Sequence, residues 1–194
     1  AKLIEGSFSD PEIEYLKDNQ WVYTEKVDGT NIRVMWNGES VVFGGKTDNA
    51  QIPVKLLYSL QALFEGTTKR QLFKEVFTDT TEVCLYGEGY GASIQSGGKY
   101  IPDATSFVLF DVKIGTMWLQ RKDVEDIATK FGIKIVPIIG KGTIEQAIEM
   151  VKKGFNSQWG EFIAEGIVLR PEVELQTRRG HRIITKIKHK DFLL

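Results

Sequence analysis

The chain contains one cysteine, Cys84, and only two histidines. A single thiol excludes a framework of internal disulfides, and so few sulfur and imidazole ligands exclude a structural zinc site built from cysteine and histidine. Cys84 lies within an apolar run at 83–86. A cysteine in such a run is more often a small core residue than a reactive thiol.

A strong excess of either charge is also missing, since the formal net charge is -1. This balance argues against a protein that coats nucleic acid by bulk electrostatics. One local patch is basic: Arg178, Arg179, Arg182, Lys186, Lys188 and Lys190. Solvated edge strands that are protected by charge are common, so the patch alone does not support binding of nucleic acid. Neither end carries an apolar run long enough to cross a membrane, so we expect a cytoplasmic protein.

No repeat, low-complexity segment or Pro/Ser-rich linker divides the sequence, and a single α+β domain over residues 1–194 is the economical prediction. Alternating and β-branched runs predict strands at 21–26, 30–36, 40–43, 82–90, 107–114, 133–139, 166–169 and 182–188. Helical spacing predicts helices that begin near Pro11 and span 53–64, 70–77, 124–131 and 143–151. We expect the stretch 21–43 to form an antiparallel sheet, with a hairpin turn at Asn37-Gly38.

Lys26 stands between two predicted strands and is followed by Gly29, which permits a tight turn. A lysine becomes a nucleophile near neutral pH only when burial or nearby positive charge lowers its pKa. Lys186 and Lys188 could supply that charge, because alternate residues of a strand point to one face. Two such amines would also neutralise a phosphate in a transition state. A merely polar sheet face is the alternative explanation for these two lysines.

Two carboxylates and an aromatic strand complete the set of candidates. Glu88 ends a strand between Gly87 and Gly89, which would let a ligand approach the backbone and place the carboxylate at a ribose hydroxyl or a metal. The strand containing Phe110 could stack on a base, although most aromatic residues in such strands belong to the core. Glu165 precedes a short apolar strand, and its alternative is an acid that faces water.

The order of these motifs is more specific than any one of them. Lys-x-Asp-Gly, Leu-x-Gly-Glu, Phe-Asp, Glu-Gly-Ile-Val and Lys-x-Lys follow one another between residues 26 and 188. This order resembles the covalent nucleotidyltransferases, which comprise polynucleotide ligases and mRNA-capping enzymes, over about residues 21–192. The stretches 25–31, 46–53 and 186–192 resemble ATP-dependent RNA ligases of the RNA-editing-ligase type.

The resemblance implies a nucleotidyltransferase fold, that is, an ATP-grasp-like ligase adenylation domain of antiparallel sheets flanked by helices. Ligases of this kind usually add a second domain that helps to bind RNA, and as a departure from that pattern we expect no accessory OB or C-terminal domain within residues 1–194. The implied chemistry has three steps. Lys26 attacks ATP and forms a lysyl-AMP intermediate, AMP passes to the 5′-phosphate of an RNA, and a 3′-hydroxyl then joins that end and releases AMP. Mg²⁺ or Mn²⁺ would stabilise the developing charge.

The resemblance also assigns roles to single residues. Lys186 and Lys188 would grip the α-phosphate as catalytic residues, Phe110 would stack on adenine and Glu88 would contact the ribose. Glu165 would bind both nucleotide and metal. The other implied nucleotide-binding residues are Glu25, Asp28, Asn31, Arg33 and Lys46. Asn31 and Arg33 share a strand face, Asp28 would support the geometry, and Lys46 stands where this family usually has an arginine.

Two further hypotheses compete with an RNA ligase. One is a DNA ligase or a capping-type guanylyltransferase, which would differ in nucleotide or polynucleotide. The other is a module that binds nucleotides or nucleic-acid ends without chemistry. For the RNA ligase itself, the RNA ends could belong to a nicked duplex or to single strands.

Overall fold

The computed structural model describes residues 4–8, 10–80 and 82–193. Its helices are α1 (Pro11–Tyr15), α2 (Val54–Phe64), α3 (Thr67–Val76), α4 (Arg121–Phe131) and α5 (Ile144–Lys153). Its strands are β1 (Trp21–Lys26), β2 (Thr30–Trp36), β3 (Val41–Gly44), β4 (Val83–Gly91), β5 (Thr105–Ile114), β6 (Met117–Trp118), β7 (Lys134–Ile135), β8 (Ile138–Gly142), β9 (Gly166–Pro171) and β10 (Thr185–Lys188). Short 3₁₀ turns span Gly97–Lys99 and His189–Phe192.

The chain divides into two compact units. The first comprises Ala1–Val27 and Pro137–Leu194, and the second comprises Asp28–Val136. The second unit is therefore inserted in sequence between two segments of the first. Within the described residues, no helix has the length and apolar character needed to span a membrane.

The first unit is built on an antiparallel sheet with the strand order β10-β9-β1-β8. One face is apolar because Trp21, Ile167 and Ile187 occupy alternate positions on their strands, and it packs with Ala147 and Val151 of α5. Burial of each large apolar side chain contributes about 1.5–3 kcal/mol. The residues that alternate with these apolar side chains on β1, β9 and β10 point to the other face of the sheet.

The second unit is built on a sheet with the order β3-β2-β4-β5-β6, and β7 pairs in parallel with β5. Its core is rich in aromatic residues from the sheet and from the helices that cover it. Trp36 stacks on Phe73 with ring centroids 4.9 Å apart, and Phe131 lies 4.6 Å from Phe73. Phe64 and Phe107 meet edge to face at 5.4 Å. Such pairs add about 0.5–1.5 kcal/mol to area burial, so this core fixes the positions of β2, β4 and β5.

The predicted sheet over 21–43 is correct for β2 and β3 but wrong for β1. The hairpin forms at Asn37-Gly38, where Gly38 has a φ of +95°. In contrast, β1 belongs to the first unit and pairs there with β9 and β8. Its ladder with β9 runs from Trp21 opposite Pro171 to Lys26 opposite Gly166. The partners of β1 lie more than a hundred residues away in sequence. Local periodicity cannot identify such partners.

The predicted strand at 133–139 is wrong as one element, because it is divided into β7 and β8. Pro137 has no N–H to donate to a ladder and interrupts the run. The two residues at the break belong to different units: the Val136 N–H donates to the Leu109 carbonyl at 2.9 Å, and the Pro137 carbonyl accepts from the Glu25 N–H at 3.1 Å. The break is therefore also the unit boundary.

The helix signals are confirmed more closely. Thr143 and Gln146 form the predicted capping box at the start of α5, with 3.0 and 3.2 Å hydrogen bonds. Gly132 ends α4 with a φ of +64°. The short β6 was not predicted, and the last strand begins at Thr185 instead of Arg182.

Candidate functional site

Lys26 is the last residue of β1 and lies in one row with residues of two neighbouring strands. Its backbone partner on β9 is Gly166, and Gly166 is in turn the partner of Lys188 on β10. Directly opposed residues of antiparallel strands point to the same face. Lys26 and Lys188 therefore share a face, with their Cα atoms about 10 Å apart across the strand between them.

A carboxylate completes this row. Lys26 Nζ lies 2.9 Å from Glu165 Oε2, and the two side chains are 19% and 14% exposed. Partial burial reduces screening by water, so this pair is stronger than a surface ion pair. The backbone also holds Glu165 close to β10, because its carbonyl accepts a 2.8 Å hydrogen bond from the His189 N–H. A nucleophile candidate, an acid and a second amine thus lie together.

Gly166 is required by packing at the centre of the row. A Cβ at this position would overlap the carbonyl oxygen of Ile187 and lie 2.9 Å from the Cα of Lys188. Only glycine lets β10 approach β9 this closely.

Lys186 and Lys188 alternate on β10 as expected, and Ile187 between them is buried in the core. The two lysines therefore occupy the face opposite the core, as predicted from their spacing. Lys186 lies opposite Val168, two residue pairs further from Glu165 than Lys188.

Glu25 points to the other side of β1, away from this row. It is only 1% exposed, and its backbone partner on β9 is the core residue Ile167. Ser157 Oγ donates to Glu25 Oε2 at 2.6 Å, and the Gln158 N–H donates to Oε1 at 2.7 Å. The side chain therefore ties β1 to the loop that precedes β9, which is the placement of a supporting residue.

Burial raises the pKa of Glu25 above its ordinary value, and the hydrogen bonds from Gln158 and Ser157 lower it in part. A carboxyl whose pKa is raised on folding contributes stability that is complete below its unfolded pKa of 4.5 and is lost as pH rises through the folded pKa. We therefore expect the free energy of unfolding of Glu25→Gln, relative to that of wild type, to be higher at about pH 7 than at about pH 4.5. Urea unfolding at both pH values measures this difference.

The matched control is Glu161→Gln, which removes one negative charge from an exposed position of the same loop. A difference between Glu25→Gln and wild type that does not change with pH, or that changes equally for Glu161→Gln, would contradict the prediction.

In the second unit, Asn31 and Glu88 are directly opposed on β2 and β4. The same face carries Arg33, which is opposite Tyr86. These residues alternate with Ile32 and Val34, which are fully buried. The predicted common face of Asn31 and Arg33 is confirmed by this alternation, and Glu88 lies beside Asn31 on it.

The prediction that Gly87 and Gly89 let a ligand approach the backbone is wrong. A Cβ at Gly87 would overlap the ring of Phe107, and a Cβ at Gly89 would lie 2.5 Å from a Leu56 methyl carbon. Both glycines therefore make room for core side chains. Gly29 likewise makes room for the Gly89 carbonyl, so close packing rather than a left-handed turn requires glycine there.

Arg33 holds the segment that carries Lys46. Its Nε donates to the Gly45 carbonyl at 2.8 Å, and its Nη2 lies 2.7 Å from Asp48 Oδ1. Lys46 itself is exposed beside this anchor. A forked guanidinium that makes two such contacts fixes the path of the loop.

Asp28 is held by the connection that follows β4. Its N–H donates to Tyr100 Oη at 3.0 Å, and its Oδ2 accepts from the Ser96 N–H at 3.4 Å. Phe110 is half-buried between the buried residues Leu109 and Asp111. Among the described residues it forms no aromatic pair, unlike the core phenylalanines of the same unit.

The comparison with known families matches this chain over most of its length. A sequence model described as RNA ligase matches residues 19–188. The chain belongs to the RNA ligase family. The matched range begins two residues before β1 and ends at Lys188, so it contains every candidate residue of both units.

Solved structures of similar fold include the RNA ligase of Naegleria gruberi and variants of it. One with ATP and Mn has a TM-score of 0.70 and 19% identity, and the match covers 93% of this RNA ligase family chain and 54% of that chain. One with AMP and Mn has a TM-score of 0.69 and 19% identity, with coverages of 92% and 52%. A third, with PPi, has a TM-score of 0.68 and 20% identity, and the match covers 96% of this chain and 57% of that chain. These likenesses show the shared α+β fold, and this family member spans about half the length of those chains.

The carboxylates of this RNA ligase family member restrict how a metal could bind. In the part of the chain that the structure describes, no group of three or more His, Cys, Asp or Glu side chains is arranged to hold an ion. A magnesium ion that is bound mainly by substrate phosphates needs only one or two protein carboxylates. Glu165, half-buried beside Lys26, meets that requirement. The donor set fits a cation that arrives with a nucleotide.

Sequence reasoning missed the residues that support the candidates. Ser157 and Gln158 hold Glu25, Tyr100 holds Asp28, and Asp48 holds Arg33. Each is a polar residue outside the strands of the two candidate faces. Their pairing depends on contacts distant in sequence, except that Asp48 falls within the stretch 46–53 that resembles the family.

Proposed function

We propose that this chain is the adenylating part of an ATP-dependent RNA ligase and that Lys26 carries AMP. The observation that supports this most strongly is the row formed by Lys26, Gly166 and Lys188, with Glu165 2.9 Å from the Lys26 amine. Family membership over residues 19–188 supports the same role. Because the matched range runs through both units, we propose that residues 1–194 act as one adenylation domain.

In the first step, Lys26 Nζ attacks the α-phosphorus of ATP. A nitrogen–phosphorus bond forms, the bond from that phosphorus to the oxygen bridging to the β-phosphate breaks, and pyrophosphate leaves with the electron pair. The Lys26 ammonium must lose one proton before it attacks, and its nitrogen loses a second proton as the bond to phosphorus forms. Glu165 Oε2 lies within hydrogen-bond distance to accept the first proton, and the second passes to water. Lys186 and Lys188 neutralise the charge on the α-phosphate.

A divalent cation held by Glu165, Mg²⁺ or Mn²⁺, would supply charge neutralisation at the phosphates. We propose that Glu88 binds the ribose and that Phe110 stacks on adenine. Asn31, Arg33 and Lys46 would serve the phosphates, Arg33 also by holding the loop of Lys46. Asp28 and the side chain of Glu25 would act by positioning, and Glu25 would reach the nucleotide only through its backbone.

In the later steps AMP passes from Lys26 to an RNA 5′-phosphate, and a 3′-hydroxyl displaces it. The ends belong to a nicked duplex or to single strands. A reaction that uses ATP and RNA fits a cytoplasmic location, which we propose for this protein.

Incubation with ATP and Mg²⁺, followed by intact-mass measurement, tests the proposal. We expect an added AMP on Lys26 that pyrophosphate removes, and no adduct with GTP. The adenylated protein is then offered 5′-phosphorylated RNA and DNA, each as a nicked duplex and as a single strand. Transfer to RNA alone supports an RNA ligase. A GMP adduct would favour a capping-type enzyme, transfer to DNA a DNA ligase, and no adduct would refute covalent chemistry.

A further inference from the structure

The connection between β9 and β10 is much longer than two adjacent antiparallel strands require. A two-residue turn can join such strands. Here residues 172–184, called the arm below, intervene between Pro171 and Thr185. A long connection inside a compact unit is often functional.

The arm is held by its own contacts. Gln176 and Arg182 form an antiparallel bridge, and the Thr177 N–H donates to the His181 carbonyl at 2.8 Å. Gly180, with a φ of +78°, donates to the Thr177 carbonyl at 2.9 Å and closes the tip. Residues 177–181 therefore form a turn that is closed by its own backbone hydrogen bonds.

The base of the arm is fixed to the first unit by burial and by charge. Ile183 is buried in the core of that unit. Arg182 is only 9% exposed and pairs with Glu174 at 2.6 Å, while Glu172 pairs with Lys141 at 3.2 Å. Both acidic side chains of the arm are thus neutralised at its base.

The tip carries the remaining charge. Arg178 and Arg179 are exposed, and within the described residues neither forms an ion pair or a hydrogen bond. Protection of an edge strand does not explain them, because they lie in the turn and outside β10. Two free guanidinium groups on a fixed turn form a site for phosphate oxygens.

The distance of the arm from Lys26 determines which phosphates it could reach. Along β9, Gly166 lies opposite Lys26 and Pro171 lies opposite Trp21, so the arm leaves the sheet about 17 Å from the Lys26 row. Phosphates of one strand of duplex DNA are spaced about 3.4 Å apart along the helix axis, and we take this spacing as the scale for an RNA backbone. The arm therefore lies about five or more nucleotides from an end placed at Lys26.

We infer that Arg178 and Arg179 bind backbone phosphates of the RNA substrate about five or more nucleotides from the end that receives AMP. This inference rests on the proposed RNA ligase function. Contacts with phosphates are independent of base sequence, so the arm would bind any RNA that is long enough to reach it. It would take no part in the reaction with ATP.

The test compares Arg178→Ala/Arg179→Ala with wild type in binding of 5′-phosphorylated RNA. Fluorescence anisotropy without ATP is measured on a trinucleotide and on a strand of about twenty nucleotides, at several salt concentrations. For the long RNA we expect affinity to fall at least about fivefold and the slope of log K on log salt to decrease by about 1–2. The trinucleotide should bind the variant and wild type equally.

Lys152→Ala/Lys153→Ala is the matched control, because it also removes two exposed positive charges from the first unit. These lysines lie at the end of α5, which covers the face of the sheet opposite to the one that carries Lys26 and Lys188. Equal binding of long RNA by the arm variant and wild type, an equal loss in the control, or an equal loss for the trinucleotide would overturn the inference. If the alanine variant does not fold, Arg178→Gln/Arg179→Gln removes both charges while it keeps a polar, unbranched side chain at each position.

Lysyl-AMP formation separates the two proposals. A wild-type chain that forms no adduct refutes the proposed function. A chain that forms the adduct while both arm arginines are dispensable for long RNA refutes only the role of the arm.

Discussion

Lys26→Arg and Lys26→Ala should each lower the rate of lysyl-AMP formation by at least about four orders of magnitude. Arginine retains a positive charge that can pair with Glu165, which lies 2.9 Å from the native amine. However, a guanidinium stays protonated near neutral pH and offers no free electron pair for attack on phosphorus. The arginine variant therefore separates the charge of Lys26 from its nucleophilicity. Incubation with labelled ATP, followed by denaturing electrophoresis, measures the covalent product.

The same variants allow a second readout. Joining a 5′-adenylated RNA to a 3′-hydroxyl requires no nucleophile from the protein, so Lys26→Arg should retain part of this activity while it cannot use ATP. Lys152→Ala, an exposed substitution at the end of α5, should behave as wild type in both assays. A labelled adduct that persists in Lys26→Arg would show that another residue carries AMP.

The residues that could be placed correctly from the sequence are those whose position follows from the alternation of side chains along a single strand. Alternation alone puts Lys186 and Lys188 on one face, because Ile187 is the apolar residue between them. The same argument places Asn31 and Arg33 on one face of β2. A two-residue period follows from strand geometry, so it needs no knowledge of partner strands.

The errors concern contacts between distant segments. The sequence around Lys26 shows a strand, a bend and a second strand, and it contains nothing to indicate that β1 pairs with residues 166–171. The glycines beside Glu88 suggested space for a ligand, whereas Phe107 and Leu56 occupy that space. Both cases depend on which side chains meet in three dimensions. The order of motifs was informative nevertheless, since it led to the family that the match over 19–188 establishes.

Glu25 and Lys26 are neighbours on β1 but point to opposite faces of the sheet, so they make different contacts. Lys26 shares a row with Gly166 and Lys188, whereas Glu25 lies opposite Ile167 on the core side and accepts from Ser157. The loop anchored by Glu25 leads directly into Glu165. A shift of that loop would therefore move the acid that pairs with Lys26, which couples the buried carboxylate to the row without any contact with substrate.

Gly166→Ala should cause the second large effect. Its methyl group would overlap the Ile187 carbonyl oxygen, which belongs to the backbone and cannot rotate away. The edge strand β10 must then move from β9, which displaces Lys188 from the Lys26 row. We expect a loss of about 2–4 kcal/mol in the free energy of unfolding. We also expect adenylation to slow at least about a hundredfold, since displacements near 1 Å can have that effect.

Gly98→Ala is the matched control, because a Cβ there meets no atom within 4 Å. It should change stability by no more than about 0.5 kcal/mol. Lys188→Ala removes the amine without pushing β10, so it should slow adenylation while the urea midpoint stays close to that of wild type. If Gly166→Ala proved as stable and as active as Gly98→Ala, the close pairing of β9 with β10 would not be what holds Lys188 beside Lys26. If Gly166→Ala lost stability alone, the row would tolerate a displaced Lys188, and its position would not limit the first step.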